Sequence, residues 1–185
     1  MRRLFFAIHV PASYQTREVL SNFQQALTDA RINWVDPEHL HLTLKFFADT
    51  PNHMIRDIIS AARYAASESE PFQLYLEGCG TFGPPKDPRV LWIGTQSSDA
   101  LNGLYNQLHK RLKTLGFKPD KQTFGPHITI GRIKQLTDQE MLKQMLMAYK
   151  SGSFGNHHVH SFNLYESILH PDGPEYKVVE KFELI

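Results

Sequence analysis

His41-Leu42-Thr43-Leu44 and His127-Ile128-Thr129-Ile130 repeat one pattern: histidine, aliphatic, threonine, aliphatic. Side chains of a β-strand alternate between its two faces, so in each copy the imidazole and the hydroxyl share a face while the aliphatics point the other way. One face then packs a core and the other carries polar groups. Two such strands side by side would set two histidines facing each other, the arrangement that acid–base chemistry on a phosphate ester needs.

His127 follows His41 by 86 residues, and the same displacement carries Arg3-Leu4-Phe5-Phe6-Ala7 onto Arg89-Val90-Leu91-Trp92-Ile93, a second charged-then-apolar strand opening. The intervening segments keep this order. The first strand spans Arg2 to Val10, with Pro11 placed for the first turn of a helix. Val19, Leu20, Phe23 and Leu27 then recur at helical spacing, and residues 32–38 connect to the first motif strand, His39 to Phe47. Thr50-Pro51 reads as a cap and first-turn proline for a second helix, followed by a strand through Phe72, Leu74 and Leu76.

Gly80 to Pro88 is turn-rich and suits an inter-lobe linker or a mobile loop. Beyond it come a strand at Val90 to Ile93, a helix striped by Leu101, Leu104, Leu108 and Leu112, and Gly116 at its C′ position. The second motif strand is expected over Thr123 to Arg132, and Thr137-Asp138-Gln139-Glu140 is a capping box for a fourth helix. Phe154 to Leu169 and Tyr176 to Leu184 read as two closing strands about the turn Pro171-Asp172-Gly173. The order is β-α-β-α-β followed by β-α-β-α-β-β. It predicts one α+β domain over residues 1–185, bilobal and internally duplicated (about 1–80 and 88–185), with antiparallel sheets facing a central cleft.

The composition narrows the function classes. A net charge of +1 gives no general pull toward nucleic acid, so contact with RNA must be local. The single cysteine, Cys79, rules out an internal disulfide framework and suits a reducing, cytoplasmic setting. The apolar run after Arg2 and Arg3 ends at His9 and Pro11, too short for a signal peptide or a membrane span.

A lone His-x-Thr would be an ordinary solvated strand face. Two copies in corresponding strands support a reaction: one neutral histidine takes a proton from water, and the other, protonated, gives one to a leaving oxygen. The two hydroxyls would donate to phosphate oxygens where charge gathers. The scheme calls for no metal and no cofactor. His157, His158 and His160 fall within one strand without a partnering carboxylate cluster and make a poor metal site. His39 lies on the face of His41. Lys45, Lys86 and Arg89 could add positive charge for an RNA backbone, whereas Phe162 and Tyr165 read as packing residues of a late strand.

The paired motifs and their flanks resemble the two-histidine phosphoesterases, and within them the RNA 2′,3′-cyclic phosphodiesterases of the 2′-5′ RNA ligase family. The likeness extends over Arg3 to Ile8, Trp34-Val35, Pro37 to Leu40, His41 to Phe46, Arg89 to Trp92, Pro126 to Arg132 and Phe162 to Ser167. It implies catalytic pairs His41 with Thr43 and His127 with Thr129, a phosphate-binding arginine at Arg132 and an aromatic that meets the nucleoside at Phe46. It also implies His41 as acid and His127 as base, a cytoplasmic monomer, and RNA termini or nucleotides bearing a 2′,3′-cyclic phosphate as substrate. Cleavage or ligation at 2′-5′ linkages, hydrolysis of another small cyclic phosphate, and a non-catalytic module holding RNA ends are the alternatives. Strict alternation would put Phe46 and Arg132 on the apolar face, so a bulge or strand end near Lys45 and Gly131 is required to turn them.

Overall fold

Along the two motif strands the aliphatics of one parity are buried in the core, and the residues of the other parity are left to line a cleft. The computed structural model describes residues 1–120, 123–171 and 173–185. Asp172 of the expected turn thus lies outside the described residues. In chain order the elements are β1 (Arg2–His9), α1 (Tyr14–Ala26), β2 (Arg31–Trp34), β3 (His41–Thr50), α2 (Ile55–Ser67), β4 (Phe72–Phe82), β5 (Val90–Thr95), α3 (Asp99–Thr114), β6 (His127–Gln135), α4 (Gln139–Ala148), β7 (Ser153–Val159), β8 (Ser161–His170) and β9 (Gly173–Glu183).

The described strands form one nine-stranded sheet in the order β7-β4-β5-β6-β3-β1-β8-β9, with β2 beside β6. Every pairing is antiparallel. The two halves touch through β3 and β6, where the register has one pair, Leu42 with Ile128. Further along, the edge of β6 is taken by β2, which pairs Ile32 with Ile133 and Trp34 with Gly131. The half-sheets therefore part company on either side of that single contact and open the cleft.

Leu4, Phe6, Ile8, Leu42, Leu44, Leu91, Ile93, Ile128, Ile130, Phe162 and Leu164 are all buried on the helix side. Phe6 is packed edge-on by Phe47, Phe162 and Phe182. Phe162 is a packing residue, as expected from the sequence. Burying a side chain of this size contributes about 1.5–3 kcal/mol, so this face holds the sheet while the other is free for chemistry.

Several boundaries differ from the sequence reading. Phe154 to Leu169 is two strands rather than one. The chain leaves β4 at Val159 and pairs with β1 from Asn163 onward, so β7 belongs to one half-sheet and β8 to the other. Gly80 to Pro88 does not link lobes: β4 runs to Phe82, pairs there with Val90, and closes a hairpin through residues 83–89. Residues 31–34 form a short strand that low hydrophobic periodicity had hidden. The second motif strand starts at His127, not Thr123. Asn52–Met54 is a 3-10 turn between Pro51 and α2, whose cap is Met54. Asp138, not Thr137, caps α4, its carboxylate accepting from Met141 N at 2.8 Å. Gly116, at φ +86°, sits beyond the end of α3 where a left-handed residue is wanted.

Candidate active site

β3 and β6 supply the motif side chains. Leu42 and Ile128 face each other and are buried, so in that antiparallel register His41 stands across from Thr129 and Thr43 across from His127. All four lie half-buried on the cleft face. Each histidine thus has the other copy's threonine opposite it.

The imidazoles are held the same way. His41 Nδ1 is 2.9 Å from the carbonyl oxygen of His39, and His127 Nδ1 is 2.7 Å from that of Gly125. A carbonyl only accepts, so Nδ1–H donates in both rings and each Nε2 is left to the cleft, with a lone pair when neutral and a proton when charged. His39 contributes this carbonyl from a 3-10 turn, while its own ring is exposed. Burial pushes the His41 pKa below its ordinary value, the His39 carbonyl opposes this, and the positive charges of Arg132, His9 and His127 add to the lowering.

Phe46 and Arg132 are turned to the cleft face by bulges. Between Thr43 and Lys45 the pairing with β1 slips by one residue at Leu44, and between Thr129 and Gly131 the pairing with β5 slips at Ile130. From His41 to Phe47 and from His127 to Ile133 the burial sequence is the same: half-buried, buried, half-buried, buried, buried, exposed, buried. Phe46 and Arg132 are the exposed members. Arg132 reaches the neighbourhood of His41, whereas Phe46, 51 % exposed, pairs across from Phe5, with the Arg3 guanidinium 5.7 Å over its ring.

Lys45 is buried and so corrects the expectation that it adds charge for RNA. Its ammonium pairs with Asp120 and lies 3.2 Å from the Lys118 carbonyl. His109, whose pKa burial lowers against the opposing pull of the Leu44 carbonyl and Asp120, donates from Nε2 to the bulged Leu44 carbonyl at 3.1 Å. Arg89 pairs with Asp87 in the hairpin turn. Cys79 is half-buried, and burial pushes its thiol up to about 12, which removes it as a nucleophile. His157 lies against the backbone of His9; among the described residues no group of three or more His, Cys, Asp or Glu side chains is arranged to hold a metal. No helix among them is long and apolar enough to cross a membrane.

The sequence reading missed an aromatic wall on each side. Phe5 is 5.3 Å and Tyr176 5.4 Å from the His41 ring, and Tyr165 stacks on Phe5 at 5.1 Å. Tyr165 therefore lines the cleft instead of packing the core. His9 pairs directly across from His41 on the same face. Phe82 and Trp92 stand 4.7 and 6.4 Å from His127. The signal for Phe5 and His9 was present in strand geometry, which puts residues 5, 7 and 9 on the face opposite Leu4, Phe6 and Ile8; Tyr165 and Tyr176 needed the long-range pairing of β8 with β1 and of β9 with β8.

Comparison with known proteins agrees with this architecture. The 2′-5′ RNA ligase superfamily profile matches residues 12–167. The chain is 36% identical over 182 residues to the RNA 2′,3′-cyclic phosphodiesterase of Archaeoglobus fulgidus, covering 98% of this chain and 99% of that one. It is 32% identical to that of Methanothermobacter thermautotrophicus, with 98% of both covered. The crystal structure of TT0787 from Thermus thermophilus superposes with a TM-score of 0.79 at 29% identity, covering 98% of this chain and 97% of that one. That of E. coli LigT complexed with 3′-AMP superposes at 0.73 and 24% identity over 99% and 98%, a likeness of fold. The chain belongs to the 2′-5′ RNA ligase superfamily of two-histidine phosphoesterases.

Proposed function

We propose that this protein hydrolyses 2′,3′-cyclic phosphate ends of RNA or nucleotides to 2′-phosphates, by acid–base catalysis between His41 and His127. The observation that carries the reading is the crossed register of the two His/Thr pairs, with both Nδ1 atoms tied to backbone carbonyls. A phosphate seated over the Leu42–Ile128 contact has an Nε2 on each side. In-line displacement needs the entering and leaving oxygens on opposite sides of phosphorus.

His127 takes a proton from water, whose oxygen bonds to phosphorus as the P–O3′ bond breaks. O3′ receives the proton of His41, leaving a 2′-phosphate and a 3′-hydroxyl. Solvent exchange then returns the proton from His127 and recharges His41. Thr43 and Thr129 donate to the non-bridging oxygens, and Arg132 pairs with their charge. Phe46 offers an exposed ring face to a nucleoside of the RNA. One chain provides both histidines, which supports a monomeric catalyst, and the single cysteine, without a disulfide partner, supports a reducing, cytoplasmic setting.

The test is turnover of 2′,3′-cyclic AMP and a cyclic-phosphate-ended oligonucleotide in excess EDTA, with the product isomer identified. His41→Ala and His127→Ala run alongside. The expected outcome is a 2′-phosphate, formed equally with and without EDTA, and a loss of about 10²–10⁴ in kcat in each variant. A 3′-phosphate, or a wild-type rate that collapses in EDTA, would overturn the mechanism.

A further inference from the structure

The carbonyl that orients His127 has little to hold it locally. Gly125 is exposed, and a side chain placed there would touch nothing within 4 Å, so no packing of its own fixes the direction of that carbonyl. Its counterpart on the other strand, the His39 carbonyl, belongs to a closed 3-10 turn in which His39 N donates to Asp36 O at 2.9 Å. The second histidine must be steadied from further away.

The support comes from α3. Tyr105 and His109 are one helical turn apart, so their rings share a face of the helix, and they stack with centroids 3.9 Å apart. Phe124, the residue before Gly125, also stacks on Tyr105 at 3.9 Å, within 14° of parallel. Two rings that close cannot share one face of a third, so Tyr105 is the middle of three. At one end of the stack His109 donates to the Leu44 carbonyl at the bulge of β3. Burial first, and then the Asp120 charge, push the Tyr105 hydroxyl up to about 12, so it stays protonated and donates to Asp120 at 3.3 Å. The same carboxylate takes the buried Lys45 ammonium of β3. The stack is thus pinned to the first motif strand and ends beside the carbonyl that serves the second histidine.

We propose that Tyr105 is a positioning residue of the two-histidine site: as the middle ring of the His109–Tyr105–Phe124 stack, it braces the Gly125 carbonyl against the bulge of β3 and so fixes the tautomer of His127. Its meaning for catalysis rests on the proposed reaction, in which His127 is the base. A base needs the lone pair of Nε2 facing the cleft, whereas a free neutral histidine favours a proton on that nitrogen. The Gly125 carbonyl reverses the preference by accepting from Nδ1–H. When the carbonyl drifts, the proton moves to Nε2 and the base is blocked.

The test reads the tautomers directly, by ¹⁵N NMR of the imidazole rings at a pH where both are neutral. In the wild type both motif histidines should carry the proton on Nδ1. Tyr105→Ala and Phe124→Ala should each move His127 toward the Nε2–H form while His41 keeps its own, and Tyr105→Phe, which retains the ring, should leave both as in the wild type. With 2′,3′-cyclic AMP the two alanine variants should lose about tenfold or more in kcat with KM little changed, and Tyr105→Phe should keep most of the rate. Phe124→Ala leaves α3 intact and decides the matter if Tyr105→Ala does not fold. A folded alanine variant in which His127 stays Nδ1–H overturns the proposal, and so does one in which His41 changes alongside it, the mark of general loosening. If the wild type turns over no substrate, the reaction reading fails, and the tautomer comparison still upholds or overturns the brace.

Discussion

The strands β3 and β6 run through the same sequence of turns in burial and bulge, yet the protein finishes them differently. At Leu44 the carbonyl freed by the bulge accepts from the His109 ring of α3; at Ile130, its counterpart, it accepts from the backbone N–H of Val35 at 3.0 Å. After the bulge one strand buries Lys45 against Asp120, where the other has Gly131, whose missing side chain leaves room for Ile32 and Trp34. One presents an aromatic ring, the other a guanidinium. The repeated part positions imidazoles and hydroxyls, and under the proposed function the divergent part would tell one end of a substrate from the other.

The largest effects should come from the part the strands share. Thr43→Val and Thr129→Val keep shape and remove one donor each, and kcat should fall by about 10²–10³ in both cases. Single-turnover rates on 2′,3′-cyclic AMP measure this. Losses that differ between the variants by more than about tenfold would break the equivalence of the two halves.

A smaller effect belongs to the walls. Gly80 lies under the Trp92 ring, and a Cβ there would fall 2.2 Å from Cζ2. Gly80→Ala must displace the ring that stands beside His127 and not the wall of His41. Overpacking of this kind costs about 1–3 kcal/mol of stability, to be read by denaturant unfolding. The dependence of activity on His41 should survive it, because no element of that wall is moved.

Much of this comparison was legible in the chain. The 86-residue echo of His-x-Thr located both motif strands, and the conflict between strict alternation and the cleft-facing Phe46 and Arg132 demanded a bulge or strand end near Lys45 and Gly131; bulges fall at Leu44 and Ile130. What local pattern could not carry is long-range partnership. A continuous run from Phe154 to Leu169 looks like one strand, because the change of partner at His160 leaves no composition signal. Tyr165 looked like core for the same reason: its neighbours Phe5 and Tyr176 arrive from distant strands. Lys45 looked like a cation for RNA because the Asp120 that neutralises it is 75 residues away.

The finest distinction between the halves is electrical and concerns His41. Its imidazolium is disfavoured, first by burial and then by the charges of Arg132, His9 and His127, against the support of the His39 carbonyl, so its pKa is lowered from the ordinary 6.5. An acid acts only when protonated, and the active fraction is lost as pH rises through the lowered pKa. kcat/KM reports the free enzyme, so its basic limb should fall below pH 6.5. A bound cyclic phosphate brings negative charge beside the ring and favours the imidazolium, so the basic limb of kcat should lie at higher pH. His9→Gln removes one of the like charges while keeping a polar side chain opposite His41, and should move the basic limb of kcat/KM upward by a small step. If His41 were instead the base, it would work when neutral, and the same substitution would move the acidic limb. Profiles of the two kinetic constants for wild type and His9→Gln therefore assign the proton at each end of the reaction, which the near-symmetry of β3 and β6 leaves open.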